Sequence, residues 1–376
     1  MFDFDALVDR SGSDSHKWRK YAGRDIIPMW VADMDFQAPA VVLEALHRRI
    51  DHGVFGYGQP DPRLKTTLIA HLWNTYAWEV APEWIVWLPG LVTGINVACR
   101  GVGGRGATIV TQVPVYPPFL SAPKLAGKRL RTTPLVYDGR QWQMDWDRLQ
   151  EALDDHPALF LLCNPQNPTG RVFTREELEH LADICLAAGT VVCADEIHCD
   201  LILEPGCRHI PFATLGPEVA KRTITLMAPS KTFNIPGLGC AFAVIADPDL
   251  RQGFKRVMEG IVPHVNVLGF AAALAAYEEG KPWLAALLDY LRVNRDIVTQ
   301  AVNQMPGLHM GPVEGTYLAW IDTRASDIDQ PRPFFEKAGV GLSDGAAFDG
   351  PGFLRMNFAC PRERLVRALK RMERAI

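Results

Sequence analysis

Polar side chains follow three apolar runs of the sequence, at the point where each run ends. They are Asn167, Asp195 and the adjacent pair Ser230 and Lys231. A lysine held in a protein pocket is the usual nucleophile for a Schiff base. A carboxylate can pair with a cationic ring nitrogen, and an asparagine can donate a hydrogen bond to a ring oxygen. Taken singly, each residue has an ordinary structural explanation, but the three segments together predict one reactive site.

Pyridoxal phosphate is the cofactor that requires this combination of amine, carboxylate and hydrogen-bond donors. Two further segments suit it. Leu91 and Val92 stand in Gly90-Leu-Val-Thr-Gly94, just before a helical stretch, so their backbone N–H groups can face a phosphate. Tyr116, in PVYPPF, carries an aromatic ring that can lie flat on a cofactor ring. We therefore expect pyridoxal 5'-phosphate as the cofactor.

Two other patterns point to different ligands and are weaker. The acidic and sulfur-bearing segment 195–200 (DEIHCD) contains metal-ligating residue types, but no second group of such residues accompanies it, so we expect no metal site. The glycines of 101–106 match GxGxxG, yet they follow a helical stretch and precede a strand, the reverse of a dinucleotide fingerprint. We interpret them as a helix stop and a turn.

The segments that must position the reactive residues alternate between strand and helix patterns. Thr174 and Glu177 form a capping box that opens a helix between two of the apolar runs. Apolar throughout, these runs are typical of strands buried on both faces of a parallel sheet. The predicted strands are 107–112, 158–163, 190–195, 223–228 and 240–246.

After about residue 260 the pattern changes to two long helices and then a smaller mixed region. We predict an α/β fold with a large, mainly parallel sheet domain and a smaller α+β domain. The expected units are 1–45, packing on the small domain or a partner subunit, 46–275 as the large cofactor domain, and 276–376 as the small domain. The later elements are predicted near 266–279, 283–304, 316–322, 332–338 and 353–359, with a terminal helix from Pro361.

The composition and charge of the chain exclude some classes of protein. The chain has 376 residues, a formal charge of −4 and no apolar run long enough for a membrane span, which argues against nucleic-acid and membrane partners. The start has neither signal-peptide nor transit-peptide character, so we expect a cytoplasmic protein with its eight cysteines reduced. Residues 84–137 contain no acid but several bases, which is either a solvated face or a positive field around a phosphate pocket.

Several segments resemble the fold-type I pyridoxal-phosphate enzymes of aminotransferase class I/II, over essentially the whole chain. Within that family the sequence is most similar to the MalY/PatB-type cystathionine β-lyases. A histidine stands at 198, where typical aminotransferases carry tyrosine. The segments that carry the resemblance are WVADMDF (30–36), FGYG (55–58), NPQNPTG (164–170), DEIHCDL (195–201) and SKTFNIPGL (230–238).

The resemblance implies roles for the cofactor-binding residues. Lys231 forms the covalent link, and Asp195 pairs with the pyridine nitrogen. Asn167 and His198 contact the ring hydroxyl side, and Tyr116 stacks on the ring. The phosphate would be held by the amides of Leu91 and Val92, together with Ser230.

The same resemblance implies three residues for substrate and subunit contacts. Arg355, in FLRMNFA, would grip the substrate carboxylate. Ala32 would line the carboxylate end through its backbone, and Tyr57 would reach the cofactor of a partner subunit, making a homodimer with shared active sites. The sequence departs from many aminotransferases at Gly239 and Ala228, where those enzymes carry an arginine and a serine near the phosphate.

We therefore expect a C–S β-lyase that cleaves L-cystathionine or a related cysteine S-conjugate to a thiol, pyruvate and ammonia. An aminotransferase is the first alternative, because both reactions begin with removal of the α-proton. A regulatory or interaction protein that retains the cofactor fold is the second.

Overall fold

A computed structural model describes residues 2–376 and shows two sheets and a two-stranded pair, with helices packed around them. The strands are β1 Ile27–Pro28, β2 Ile85–Leu88, β3 Thr108–Val113, β4 Arg129–Tyr137, β5 Trp142–Met144, β6 Leu159–Cys163, β7 Val191–Asp195, β8 Thr223–Met227, β9 Ala241–Val244, β10 His309–Met310, β11 Leu318–Asp322, β12 Val340–Gly341, β13 Ser343–Asp344 and β14 Phe353–Asn357. The helices are α1 His16–Arg19, α2 Ala40–Asp51, α3 Pro62–Tyr76, α4 Leu91–Gly101, α5 Pro117–Leu125, α6 Trp146–Leu153, α7 Arg175–Ala188, α8 Pro217–Lys221, α9 Pro229–Thr232, α10 Pro248–Met258, α11 Val267–Glu279, α12 Lys281–Gln304, α13 Pro331–Lys337 and α14 Arg362–Ala375.

The large sheet has eight strands in the order β2-β9-β8-β7-β6-β3-β4-β5. Its central strands β8, β7, β6, β3 and β4 run parallel, and the outer pairings to β9, β2 and β5 are antiparallel. Strands β6 and β8 are buried along their whole length, as their apolar sequences require when helices cover both faces of a sheet. The predicted α/β class with a mainly parallel sheet is confirmed.

The predicted strands agree with the observed ones to within a few residues, and the helix after β6 begins as expected. The Thr174 side chain accepts a hydrogen bond from the Glu177 backbone N–H, and the Glu177 side chain accepts one from the Thr174 backbone. The sequence analysis missed β2, β4 and β5 of the large sheet and the two-residue strands β1, β10, β12 and β13. Strand β4 is mostly exposed or half-buried and rich in polar residues, so it lacks the apolar run that marked the central strands.

The C-terminal part contains a four-stranded antiparallel sheet in the order β10-β11-β14-β13. It supplies the second, smaller unit of the expected fold. The N-terminal part of the chain contacts this smaller unit, because β1 pairs in parallel with β12 in a separate two-stranded sheet. Residues 27–28 therefore contact the predicted small domain, while the boundaries at 45 and 275 remain a prediction.

Two bases of the segment 84–137 and the glycines of the GxGxxG match have structural roles at the edge of the sheet where β4 begins. Lys128 Nζ donates hydrogen bonds of 2.9, 2.6 and 2.7 Å to the carbonyls of Val102, Gly103 and Gly104, which follow the C-terminus of α4. Arg131 pairs with Asp155. These bases lie where β4 begins. The carboxyl ends of the parallel strands, which the candidate site residues follow, lie at the opposite edge of the sheet. Lys128 is buried against those three backbone carbonyls and Arg131 is held in an ion pair, so neither base forms a solvated face or is free to bind a phosphate.

No helix within residues 2–376 is long and apolar enough to cross a membrane. All eight cysteines are free thiols.

Candidate active site

Lys231 lies in the short helix α9, directly after β8. Its Nζ donates a hydrogen bond of 2.5 Å to the backbone carbonyl of Ala32, and the Tyr317 hydroxyl donates to the same oxygen at 3.0 Å. Burial is the main cause that lowers the pKa of Lys231 to about 8, assisted by the charge of Arg355 and opposed by Asp33. A larger share of neutral, nucleophilic amine is therefore present near neutral pH than for an exposed lysine.

Asp195 is the last residue of β7 and is buried. Its Oδ1 accepts a hydrogen bond of 3.1 Å from the backbone N–H of Ile197. Burial raises the pKa of Asp195 to about 7, and the charge of Glu196 acts in the same direction. A cationic group placed against this carboxylate would hold it ionised, and would in turn have its own positive charge stabilised.

His198 is buried, and its Nδ1 has no hydrogen-bond partner within residues 2–376. Burial, with the charges of Lys231 and Arg355, lowers the pKa of His198 to about 3. The imidazole is therefore neutral. Its ring meets the Tyr317 ring edge to face, with the centroids 5.8 Å apart. An unpartnered polar atom at this depth is costly, which indicates that a ligand completes its hydrogen bonding.

Arg355, in the buried strand β14, joins Asn167 to the N-terminal segment. Its Nη1 donates to Asn167 Oδ1 at 3.0 Å, and its Nη2 donates to the Trp30 carbonyl at 2.8 Å. The guanidinium lies 4.6 Å from the centroid of the Phe348 ring, and burial lowers its pKa to about 10. It forms no ion pair with a carboxylate of residues 2–376, and its Nε is unpartnered. A buried cation of this kind suits the carboxylate of a ligand.

Tyr116 caps the N-terminus of α5 and is half-buried. Burial raises the pKa of its phenol, and the nearby charge of Asp195 adds to this effect while that of Arg355 opposes it. The charges of Asp195 and Arg355 both act on this phenol, and stacking of Tyr116 on a cofactor ring stays a prediction.

The expected phosphate end lies at the start of α4. This helix begins at Leu91 after Gly90, so Leu91 and Val92 provide N-terminal amides, and Ser230 lies one residue before the lysine. Gly239 has φ +58°, and a Cβ built on it would lie 3.1 Å from the Pro89 carbonyl oxygen. An arginine at this position would be strained, so the phosphate contact that many aminotransferases make there has no equivalent in this chain.

Tyr57 is a predicted site residue that the single chain does not bring to Lys231, Asn167 and Arg355. Its side chain is fully exposed, in a loop between α2 and α3 that also exposes Val54 and Phe55. The expectation that Tyr57 acts on a partner's cofactor therefore stays a prediction.

Sequence reasoning missed the residues that hold the segment 29–36 in place. Asn357 Nδ2 donates to the carbonyls of Val31 and Asp33 at 2.6 and 2.7 Å. Two acids of this segment belong to a set of five charged residues, which we call the N-terminal ion cluster. It consists of Arg10, Lys17, Asp33, Asp35 and Arg364. Two acids inside the apolar run WVADMDF were the signal that could have identified it.

The chemistry of this donor set fits pyridoxal phosphate. It combines a half-buried amine at Lys231, a buried carboxylate at Asp195 and an unpartnered imidazole nitrogen at His198. Asn167 accepts from Arg355 through Oδ1, so its Nδ2 is the atom available to donate to a ring oxygen. The residues of 2–376 hold no group of three or more His, Cys, Asp or Glu side chains arranged for a metal ion.

Comparison with known proteins agrees with this site. Residues 24–372 match the family model described as aminotransferase class I and II. The chain is 36% identical to cystathionine beta-lyase PatB of Bacillus subtilis, over 100% of both chains. The expected resemblance to the PatB-type proteins is confirmed.

Solved structures extend the similarity to the fold. The crystal structure of OvoB is 48% identical, with a TM-score of 0.96, and the match covers 100% of this chain and 99% of that one. Cystalysin from Treponema denticola, whose crystal structure contains pyridoxal 5'-phosphate, is 32% identical with a TM-score of 0.95 and coverage of 100% and 98%. The fold is that of the fold-type I pyridoxal-phosphate enzymes, and the cofactor of the family is pyridoxal phosphate. The chain belongs to the aminotransferase class I and II family.

Proposed function

We propose that this protein is a pyridoxal-phosphate-dependent C–S β-lyase that acts on L-cystathionine or a related cysteine S-conjugate. The observation that carries the proposal is the full-length similarity to cystathionine beta-lyase PatB. The site supports it, because a buried Arg355 without an acidic partner suits the carboxylate that every amino-acid substrate presents. The coarser conclusion, an enzyme of the class I and II family, does not depend on the identity of the leaving thiol.

The residues of the site have separate tasks in this proposal. Pyridoxal phosphate, when bound, supplies an electron sink that stabilises negative charge at the substrate Cα. Lys231, whose pKa is lowered to about 8, accepts the α-proton as a neutral amine. Asp195 keeps the cofactor's ring nitrogen protonated, and Arg355 fixes the substrate carboxylate so that the Cα–H bond faces Lys231. Asn167 and His198 bind the ring oxygen side, and Tyr116 lies against the ring.

Loss of sulfur follows from the leaving group. After Lys231 takes the α-proton, the Cβ–S bond breaks with its electron pair on sulfur, and a thiolate departs. Water then completes the release of the three-carbon fragment as pyruvate and ammonia. For cystathionine the balance is one water consumed and one homocysteine, one pyruvate and one ammonia formed.

The proposal is tested by incubating purified holoenzyme with cystathionine in the absence of any keto acid. We expect stoichiometric pyruvate, ammonia and thiol. Alanine or aspartate with 2-oxoglutarate should give glutamate much more slowly. Lys231→Ala is the control for turnover, and Lys337→Ala, on the small helix α13, is the matched lysine variant that should retain activity.

An aminotransferase is the second candidate, favoured by the description of the family model that matches 24–372. It would share the first step at Lys231 but would release a keto acid in place of a thiol and pass the amino group to a second keto acid. Rapid accumulation of glutamate, with no thiol from any cysteine conjugate, would establish the aminotransferase and reject the lyase.

We further propose a cytoplasmic homodimer in which each subunit completes the other's site. Val54, Phe55 and Tyr57 are 62, 57 and 108% exposed in the loop 52–61. Apolar side chains exposed together favour a protein contact. In this arrangement Tyr57 reaches the phosphate end of the partner's cofactor, where the chain itself has glycine at 239 instead of arginine.

A further inference from the structure

One cavity of the molecule lies apart from the candidate active site. It has a volume of about 970 Å³ and lies between the C-terminal end of α3, the segment 199–214 and the first turns of α12. None of the residues assigned above to cofactor or substrate lines it. Its walls include Trp73, which is 57% exposed, and Leu284.

The floor of this cavity is a buried hydrogen-bonded network. Asp200 Oδ1 accepts from the Tyr76 hydroxyl at 2.6 Å and lies 3.4 Å from His71 Nε2. His209 Nε2 lies 2.8 Å from Glu196 Oε2, which leaves its Nδ1 without a partner in residues 2–376. The floor therefore has a polar atom that the protein itself does not satisfy.

The rim of the cavity is positively charged. Arg208 and Lys281 are exposed there and form no ion pair with residues 2–376. Arg175 is a third cation, paired with Glu179 at 3.3 Å on the surface. Asp200 is the one carboxylate in the lining, and its two oxygens are already bonded on the floor. In a protein of net charge −4, this local excess of cations favours an anion.

We propose that this cavity is a binding site for a small aromatic anion, with the charged end between Arg208 and Lys281 and the flat apolar part against Trp73 and Leu284. Such a site lies outside the C–S lyase machinery and does not depend on that activity being correct.

The floor also connects the cavity to the catalytic lysine. Asp200 Oδ2 accepts a hydrogen bond of 3.1 Å from the hydroxyl of Thr232, the residue after Lys231. A ligand that shifts Tyr76 or Asp200 would therefore change the position of α9. By linkage, the ligand would alter the environment of Lys231, and occupancy of the active site would alter its affinity in return.

The test uses the holoenzyme and 2-naphthalenesulfonate, an aromatic anion whose charge does not change with pH. Isothermal titration calorimetry should show one site per subunit. Ala285→Trp, at an exposed lining position of α12, should abolish binding by filling the cavity. Arg208→Ala combined with Lys281→Ala should weaken binding roughly tenfold, since both exposed charges that attract the anion are removed. Arg140→Ala, a surface arginine elsewhere, should leave it unchanged.

The visible absorbance of the cofactor reports the connection. We expect 2-naphthalenesulfonate to shift the pH midpoint of that absorbance in the wild type and not in Ala285→Trp. Absence of binding, or binding that Ala285→Trp leaves intact, overturns the site. Binding without a spectral shift overturns the link to Lys231. Neither readout involves turnover, so failure here is separate from failure of the lyase assignment.

Discussion

The guanidinium of Arg355 donates a hydrogen bond of 3.0 Å from Nη1 to the side-chain carbonyl of Asn167. Because Oδ1 of the amide is the acceptor, the NH₂ group of Asn167 points away from the arginine and can donate to a ligand. Arg355 thus presents a positive charge for a carboxylate and also sets the orientation of the amide that we propose donates to the cofactor ring.

This relationship predicts the effect of Arg355→Lys. A lysine retains the charge but lacks the planar fork that contacts Asn167, Trp30 and a carboxylate at once. We expect KM for cystathionine to rise roughly 10- to 100-fold, because the loss of one charged hydrogen bond costs about 1.5–3 kcal/mol. Steady-state kinetics measures this. Arg324→Lys, an exposed arginine bonded to Asp322, is the matched control, and an unchanged KM in Arg355→Lys would remove Arg355 from the carboxylate site.

The lowered pKa of Lys231, about 8, predicts how cofactor uptake depends on pH. Only the neutral amine attacks an aldehyde, so below this pKa the rate should rise about tenfold per pH unit. Above it, the rate should level off. Mixing cofactor-free protein with pyridoxal phosphate and following visible absorbance gives the midpoint, which for an ordinary lysine would stand near 10.5.

Asp33 gives an internal check on that midpoint. Its charge raises the pKa of Lys231, so Asp33→Asn should move the midpoint to lower pH. Asp154→Asn, at the exposed C-terminal end of α6, should not move it. A midpoint near 10.5 in the wild type would mean that Lys231 is not held in a desolvated site.

The exposed position of Tyr57 predicts complementation between two inactive chains. Tyr57→Ala damages the site of the partner subunit, whereas Lys231→Ala damages a chain's own site. In a mixed dimer, one of the two sites is then intact. We expect dissociation and reassociation of the two variants to restore up to about a quarter of the wild-type activity, from random pairing. Each variant taken through the same treatment alone is the control and should stay inactive, and a fully active monomer in sedimentation would contradict shared sites.

The buried ion pair between Lys17 and Asp35 predicts a contribution of the N-terminal ion cluster to the stability of the fold. Its side chain is 1% exposed and its Nζ lies 3.2 Å from Asp35 Oδ2, itself 1% exposed. Lys17→Met leaves a buried carboxylate with fewer partners, and because Arg10 and Arg364 still pair with Asp35, we expect a loss of about 1–3 kcal/mol in the free energy of unfolding. Chemical denaturation should show this loss, and Lys370→Met, at an exposed position of α14, should change little. An equal, small effect in both would show that the N-terminal ion cluster does not stabilise the fold.

Local sequence was sufficient for the central strands and for the residues that follow them. Strands β6, β7 and β8 are apolar because helices cover both faces of the sheet, so their ends were visible in the sequence. Asn167, Asp195 and Lys231 stand just beyond those ends. The family resemblance, through short motifs, supplied Arg355, Tyr57, His198 and Ala32, which spacing alone did not reveal.

Only the tertiary structure showed what surrounds these residues. Ala32 is 199 positions from Lys231 and 285 from Tyr317, yet its carbonyl accepts hydrogen bonds from both. No local pattern marks such a contact, because it arises from packing the N-terminal segment between the large sheet and the C-terminal sheet. The pKa of Lys231 is likewise set by burial and by distant charges. The sequence by itself therefore determined which groups could react, and the tertiary structure decided their protonation, their orientation and the backbone that holds them.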